Sequence, residues 1–473
     1  MRIAIAGSSG FIGNRLVQAF VQDSNHSVVA LSRTGKGTAH ERIECRRADF
    51  FSLFSAEKAL EGCEVAFYLL HSMIPSSRMT QGSFEDFDFI LADNFGRAAR
   101  KMGVKHIIYV GGMIDEASKK LSRHLASRQE VESVLGACGI PLTTIRCSLV
   151  IGAEGSSFVI LRKLVTRLPA MLLPGWCASA CQPVAIDDLV LILRRCIELP
   201  AVQGLSIDVG VPTPVSYRDL IETTSRIARS NHVLIDIPAI PLMLSKLWIR
   251  LVTGASRELV YPLVDSLVHP MVARPGHEAG SELIEHYTPL TRAIEIALAD
   301  PLPRRTRLSS RPPGKVIAQK LVQSVQRLRL PQGMDAFIVS QYYFRWLSRF
   351  FTWIVVVKNQ GNRSCFHFAR IPIPLLELTY APERSTRDRQ LFYITGGLLA
   401  RPSERARLEF RESPDKIFVF AAIHDYSPAL PWWVYRSSQA LAHRFVMWSF
   451  GRFLQRAALR KPPLLLKEED SIA

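Results

Sequence analysis

Short apolar runs alternate with amphipathic stretches through the first 200 residues. Arg2–Ala6, Ser27–Leu31, Val65–Leu70, His106–Val110 and Leu142–Arg146 are brief and aliphatic, and read as strands. Between them Gly13–Val21, Phe84–Met102 and Ser122–Ala137 repeat apolar positions every three or four residues and read as helices. This alternation predicts an α/β fold, a doubly wound parallel sheet with helices on both faces.

Further along the pattern loosens. Residues 150–300 are richer in proline, with helices predicted at Ile186–Ile197, Tyr217–Arg229 and Leu242–Val252. Pro303 to Leu330 holds eight Lys or Arg residues and no Asp or Glu, punctuated by Pro301, Pro303, Pro312 and Pro313. It reads as a basic linker, 301–330, carrying a helix over Lys315–Arg329. Strand-like runs then appear at Cys365–Ile371, Leu375–Tyr380, Leu391–Ile394, Ala406–Phe410 and Ile417–Ile423, before an amphipathic helix at Trp432–Ala458. A meander followed by a long helix predicts an α+β domain over 331–473. The expected organisation is a core over about 1–165, a small substrate region over about 166–300, the linker and the C-terminal domain.

Composition narrows the chemistry. A formal net charge of +17 favours anionic partners such as phosphates or acidic headgroups. No recognition helix or RNA-binding signature accompanies it, so no nucleic-acid partner is expected. Eight cysteines occur without a CxxC pair, which predicts reduced thiols and no metal site. No apolar run reaches the roughly 18–20 residues of a membrane span; Phe350–Val357 is far shorter. Met1-Arg2 leads straight into a strand without a signal-peptide pattern, so the expected location is cytoplasmic, at most peripheral to the inner face of a membrane.

One motif carries specific chemistry. Gly7-Ser8-Ser9-Gly10-Phe11-Ile12-Gly13 joins the first strand to the first helix. Gly7 permits a tight turn, Gly10 lets backbone approach a pyrophosphate, and Gly13 allows close helix–strand packing. The helix start then offers free N–H groups and the positive end of its dipole to phosphates. Such a loop predicts a dinucleotide site of Rossmann type, with Leu70 at the end of the fourth strand beside it. The second strand ends in Ser32-Arg33, where an acidic residue would favour NAD(H). A guanidinium there pairs with a 2′-phosphate, which favours NADP(H) over NAD(H); the bland alternative is a solvated arginine. Asp49, after the expected third strand, is placed for the adenine edge.

These residues resemble the extended or atypical short-chain dehydrogenase/reductase superfamily. Tyr68-Leu69-Leu70-His71-Ser72-Met73 resembles the YLVHSM segment of a bacterial NAD(P)H-binding subgroup. Segments 122–131, Gln182–Asp188 and Ser216–Leu220 are similar to that subgroup too. The resemblance covers residues 1 to about 300 and extends to the nucleotide-binding accessory subunit of respiratory complex I, which implies a structural NADPH as one option. The family's Tyr-x-x-x-Lys is replaced here by His124-x-x-x-Arg128. The candidate proton-moving groups are therefore His71 and His124, with Arg128 holding a ribose, orienting a carbonyl, or pairing with Glu130 or Glu132. Gly112, Ser148 and Ser156-Ser157-Phe158 are candidates for the substrate side. The subgroup's C-terminal part is similar to a START-like cup, which implies a hydrophobic ligand.

Two functions follow as expectations. One is an NADP(H)-dependent oxidoreductase or epimerase acting on a hydrophobic carbonyl or quinone-like substrate. The other is a non-catalytic NADPH-binding scaffold, redox sensor or assembly factor at a membrane surface. For the latter, the basic segment 304–329, with its stripe Val316, Leu321, Val325 and Leu328, and the aromatic helix 432–458 suit acidic lipid.

Overall fold

Ile3, Ala4, Ile5 and Ala6 are wholly buried because their strand, Arg2–Ala6, lies mid-sheet with both faces covered. Seven parallel strands form this sheet in the order Ser206–Val209, Leu142–Cys147, His106–Gly112, Val65–Tyr68, Arg2–Ala6, Ser27–Ser32 and Ile43–Arg47. The order reverses between Arg2–Ala6 and Val65–Tyr68, and the crevice outside the strand ends at such a reversal is where ligands bind. The structure is a computed structural model and describes residues 1–23, 26–37, 40–72, 79–115, 118, 120–230, 233–301, 321–350, 355–368 and 373–459.

On one face, Leu16, Val17 and Phe20 of helix Phe11–Asp23 and Leu189, Ile192 and Leu193 of helix Ile186–Glu198 pack on Ile3, Ile5, Val28 and Phe67. On the other, Phe95 of helix Phe84–Lys101 meets Tyr68 edge-on at 4.9 Å. The predicted strands and helices of residues 1–200 are present, within a few residues at their ends. Helix Tyr217–Ile227 starts with a capping box in which Ser216 and Asp219 bond reciprocally. Asp188 accepts from the amide and hydroxyl of Thr288, each at 2.7 Å. Two of the segments that carry the family resemblance are thus structural fastenings.

The chain divides into two units, Met1–Ile74 with Asp88–Arg311, and Pro75–Phe87 with Pro312–Ala473. The second holds an eight-stranded mixed sheet. Its order is Val355–Gln360, Arg363–Phe368, Pro374–Tyr380, Arg389–Gly396, Arg407–Glu412, Phe418–Tyr426, Val322–Arg329 and Met79–Gln81. All neighbours are antiparallel except the last pair, in which Met79–Gln81 lies parallel to Val322–Ser324. Helices Ala336–Phe350 and Gln439–Leu459 cover one face, with Tyr343, Phe410 and Phe450 at the centre of the core.

Three expectations are corrected here. Val322–Arg329 is an inner strand, not the end of a basic helix; 302–320, with the rest of that helix and Val316, lies outside the described residues. Val322 and Leu328 enter the core under the helices, while Val325 is buried on the opposite face. A strand covered on both sides thereby imitates a three-residue helical spacing, and its apolar stripe is spent inside the sheet. The predicted helix 432–458 is two helices, Trp432–Ser437 and Gln439–Leu459, broken at Ser438. Helix Ala336–Phe350 and strand Val355–Gln360 carried no sequence expectation. The end of the predicted strand Cys365–Ile371, from 369, lies outside the described residues.

Candidate functional site

The glycine loop sits at the strand-order reversal. Gly7 has φ +95°, and a Cβ on it would stand 2.8 Å from the Leu69 carbonyl oxygen beyond the fourth strand. A Cβ on Gly13 would lie 2.3 Å from the Gly7 oxygen, so any side chain there drives the helix off the loop. The Ser8 hydroxyl and the Gly7 and Ser8 amides donate to Leu31 O, at 3.0, 3.2 and 3.3 Å. Ser9 is exposed at the tip. The helix opens at Phe11, and Asn14 N donates to Gly10 O at 3.0 Å. The amides of Phe11, Ile12 and Gly13 therefore precede the helical ladder and are available to an anion. Phe11 also tethers the loop sideways, since a Cβ on Gly152 would lie 2.5 Å from its ring.

The ends of the second and third strands form a cationic rim. Ser32 is buried, and its hydroxyl accepts from Gly35 N at 3.1 Å, closing the turn that displays Arg33. Arg47, which the sequence reading passed over, is Ser32's register partner on the third strand. A Cβ on Gly35 would lie 3.1 Å from Arg47 N, so Arg47 stands against the same turn. Arg33, Lys36 and Arg47 are all exposed, and none forms an ion pair among the described residues. Asp49 is half-buried just beyond, its Oδ1 accepting from Phe51 N at 3.2 Å.

The fourth-strand end gathers the other candidates. Leu70 is half-buried and His71 exposed, just past Tyr68; Met73 lies outside the described residues. Arg128 is paired with neither Glu130 nor Glu132. Its guanidinium meets the carboxylate of Asp88, both side chains nearly enclosed, while Glu132 holds Arg146 through two bonds of 3.0 Å. Asp88 also accepts from Ser72 N at 2.7 Å and from the Ser127 hydroxyl at 3.1 Å. It thus fixes the residue after His71 to the helix that bears His124. Burial opposes charge on Arg128, but the Asp88 carboxylate together with Tyr109 and Tyr68 outweighs it, raising the guanidinium's pKa.

His124 lies on the first turn of helix Arg123–Gly136, behind the Ser122 cap. Its Nδ1 is out of solvent with no hydrogen-bond partner among the described residues. Burial, then the charges of Arg128 and His71, lower its pKa to about 3, so the imidazole is neutral at physiological pH. Tyr68 and Tyr109 are fully enclosed and held protonated, first by burial. The Tyr109 hydroxyl donates to Arg128 O at 3.2 Å. Two further candidates are engaged in structure: Ser148 donates to Gln182 O at 2.6 Å, and Phe158 is fully buried. Gly112 backs onto the His124 helix, where a Cβ would meet Leu125 at 3.2 Å. No cluster of metal-ligating side chains occurs among the described residues.

Comparison with known proteins bears on this geometry. Residues 7–163 match a family described as NAD(P)H-binding. Auxiliary protein GraX of Staphylococcus aureus is 28% identical over 145 residues, covering 30% of this chain and 43% of that protein. An uncharacterized protein of Mycobacterium tuberculosis is 22% identical over 226 residues, 48% of this chain and 23% of its own length. The chain thus spans less than half the length of these curated relatives. Among solved structures, a nucleoside-diphosphate-sugar epimerase of Staphylococcus aureus has a TM-score of 0.49 at 14% identity, over 62% of this chain and 100% of that one. The Citrobacter triphenylmethane reductase complexed with NADP(H) has a TM-score of 0.47 at 18% identity, over 63% and 100%. The NADPH-dependent quinone oxidoreductase of Escherichia coli has 0.49 at 18%, over 62% and 98%. With the strand-order reversal and the glycine cradle, the family match makes residues 7–163 an NAD(P)H-binding domain of Rossmann-like fold.

Proposed function

We propose that the chain binds NADP(H) in preference to NAD(H) and is an atypical reductase or epimerase of the extended short-chain dehydrogenase type, acting on a hydrophobic carbonyl or quinone-like substrate. The observation that carries the cofactor reading is the rim of Arg33 and Arg47 about Gly35, with no ion pair to either arginine among the described residues and Ser32-Arg33 rather than an acidic residue ending the second strand. Two guanidiniums there suit the charge of a 2′-phosphate. Gly7, Gly10 and Gly13 admit the pyrophosphate to the amides of Phe11, Ile12 and Gly13. The fit is supported by the space that side chains on these glycines would occupy.

A bound reduced nicotinamide supplies a hydride. Around it the protein's part is orientation and proton supply. His124, being neutral, acts by donating a hydrogen bond from its ring N–H to a substrate oxygen rather than by holding an extra proton. His71, exposed at the strand end, is the group that exchanges protons with solvent. Asp88 positions both, through Ser72 N and through Ser127 and Arg128.

A second reading is favoured by one observation. The position that bears lysine in the family's working enzymes is here an arginine locked to Asp88, which suits a chain that holds its cofactor without consuming it, as the resemblance to the complex I subunit implies. Mixing the purified chain with NADPH and a panel of quinones and hydrophobic ketones separates the two. Loss of reduced-nicotinamide absorbance that His71→Ala and His124→Ala abolish, with NADPH still bound, supports the enzyme. NADPH that stabilises the fold and is never oxidised by any member of the panel supports the scaffold.

A further inference from the structure

Helix Gln439–Leu459 is apolar on two sides. Ala440, Met447, Phe450 and Leu454 are buried against the C-terminal sheet. Its outward side carries Leu441, Phe445 and Trp448, exposed by 54%, 53% and 56%. A helix with a second apolar side ordinarily buries it within its own protein; this one leaves that side exposed. Phe445 stacks near Trp448 at 6.0 Å between ring centroids and lies 6.2 Å from Phe350 at the end of the neighbouring helix, making a continuous aromatic ridge. The Arg452 guanidinium lies 4.9 Å from the centre of the Trp448 ring.

The charge on the elements that carry the ridge is of one sign. Helix Ala336–Phe350 and the stretch Trp432–Leu459 together hold Arg345, Arg349, Arg436, Arg444, Arg452 and Arg456, and no Asp or Glu. All six arginines are exposed, and none takes part in an ion pair among the described residues. We propose that this face docks on an anionic lipid surface, with Phe445 and Trp448 at headgroup depth and Arg444 and Arg452 on the phosphates. Aromatic rings prefer that depth, and clustered cations are drawn to an acidic leaflet. A second copy of the chain is a poorer occupant, because self-pairing would bring the arginines of one face against those of the other. The proposal is independent of the cofactor site and of whether the chain turns NADPH over.

The test is co-sedimentation of the full chain with phosphatidylcholine vesicles, with and without phosphatidylglycerol, at low and high salt. The expected result is binding to the phosphatidylglycerol vesicles that is at least about tenfold weaker without the anionic lipid and weakens with salt. Phe445→Ser with Trp448→Ser, and separately Arg444→Glu with Arg452→Glu, each lower it about tenfold or more while NADPH binding is retained. The charge-reversal pair keeps the test alive should the serine pair fold poorly. Binding that neither pair weakens overturns the proposal. So does an absence of vesicle binding, including the case in which the chain has a dimer mass in solution that the serine pair halves, which would assign the face to a second copy.

Discussion

The guanidinium of Arg128 is committed to the carboxylate of Asp88, forty residues away in sequence and inside the same unit. Removing the acid alone strands a buried cation. Asp88→Ala is expected to cost about 3–5 kcal/mol of stability, and the paired replacement Asp88→Leu with Arg128→Met much less. Urea denaturation of the three proteins measures both. Equal losses for the single and paired changes would show that packing, not the stranded charge, sets the cost.

Gly13→Ala places a methyl group 2.3 Å from the Gly7 oxygen. Helix and loop must separate, at a cost of about 1–3 kcal/mol. Because the loop is the phosphate cradle, the dissociation constant for NADPH rises along with the fall in melting temperature. Titration by protein fluorescence checks the first and calorimetry the second.

Arg33→Asp and Arg47→Asp each remove a cation and add an anion where a 2′-phosphate would lie. Each should weaken NADPH binding by about 1.5–3 kcal/mol, roughly tenfold or more, and leave NADH binding nearly unchanged. Parallel titrations with the two cofactors read this directly. A uniform loss for both cofactors would place the arginines elsewhere than on the 2′-phosphate.

The imidazole of His124, half-buried with its Nδ1 out of solvent, makes stability depend on pH in a defined window. Its pKa in the folded chain, about 3, lies below the ordinary 6.5, so the unfolded chain binds the extra proton first. Its contribution is therefore complete above pH 6.5 and is lost as pH falls toward 3, by at most about 1.4 kcal/mol per pH unit. His106 and His443, both lowered to about 4 by burial, act in the same direction. The stability difference between the parent and His124→Asn should stay constant above pH 6.5 and shift against the parent as pH falls toward 3; a difference that does not change with pH would contradict a neutral His124.

Periodicity and the glycine spacing made the first 200 residues legible, because each strand there is a short apolar run and each helix has one apolar face. Gly7 and Gly13 were readable for the same reason: their spacing encodes a steric demand. Arg47 was not, since only register with Ser32 brings it to the turn that displays Arg33. Asp88 lay hidden in an ordinary amphipathic helix, and nothing local says that it faces Arg128 rather than solvent. In the C-terminal sheet, strand Arg407–Glu412 is buried at every position, charged residues included. Glu409 is held well below the ordinary carboxylate range: burial opposes its charge, but Arg389 and Arg411 outweigh it. The run Ala406–Phe410 read as a strand, but alternation presumes one wet face, so the enclosure of its charged residues was not legible.

Three residues of this chain complicate its dissection. Met79–Gln81 supply the outermost strand of a sheet otherwise built from residues beyond 321, and the chain is back in the first unit by Asp88. No single cut yields both units whole. A fragment starting near residue 321 would present the bare edge of Val322–Arg329, an invitation to pair with its own copies. The C-terminal sheet must also wait for its partner strand across some 240 residues of intervening chain, a long loop to close before that last pairing can form. Separate expression of the C-terminal unit is thus expected to give aggregated material unless residues 75–87 are supplied with it.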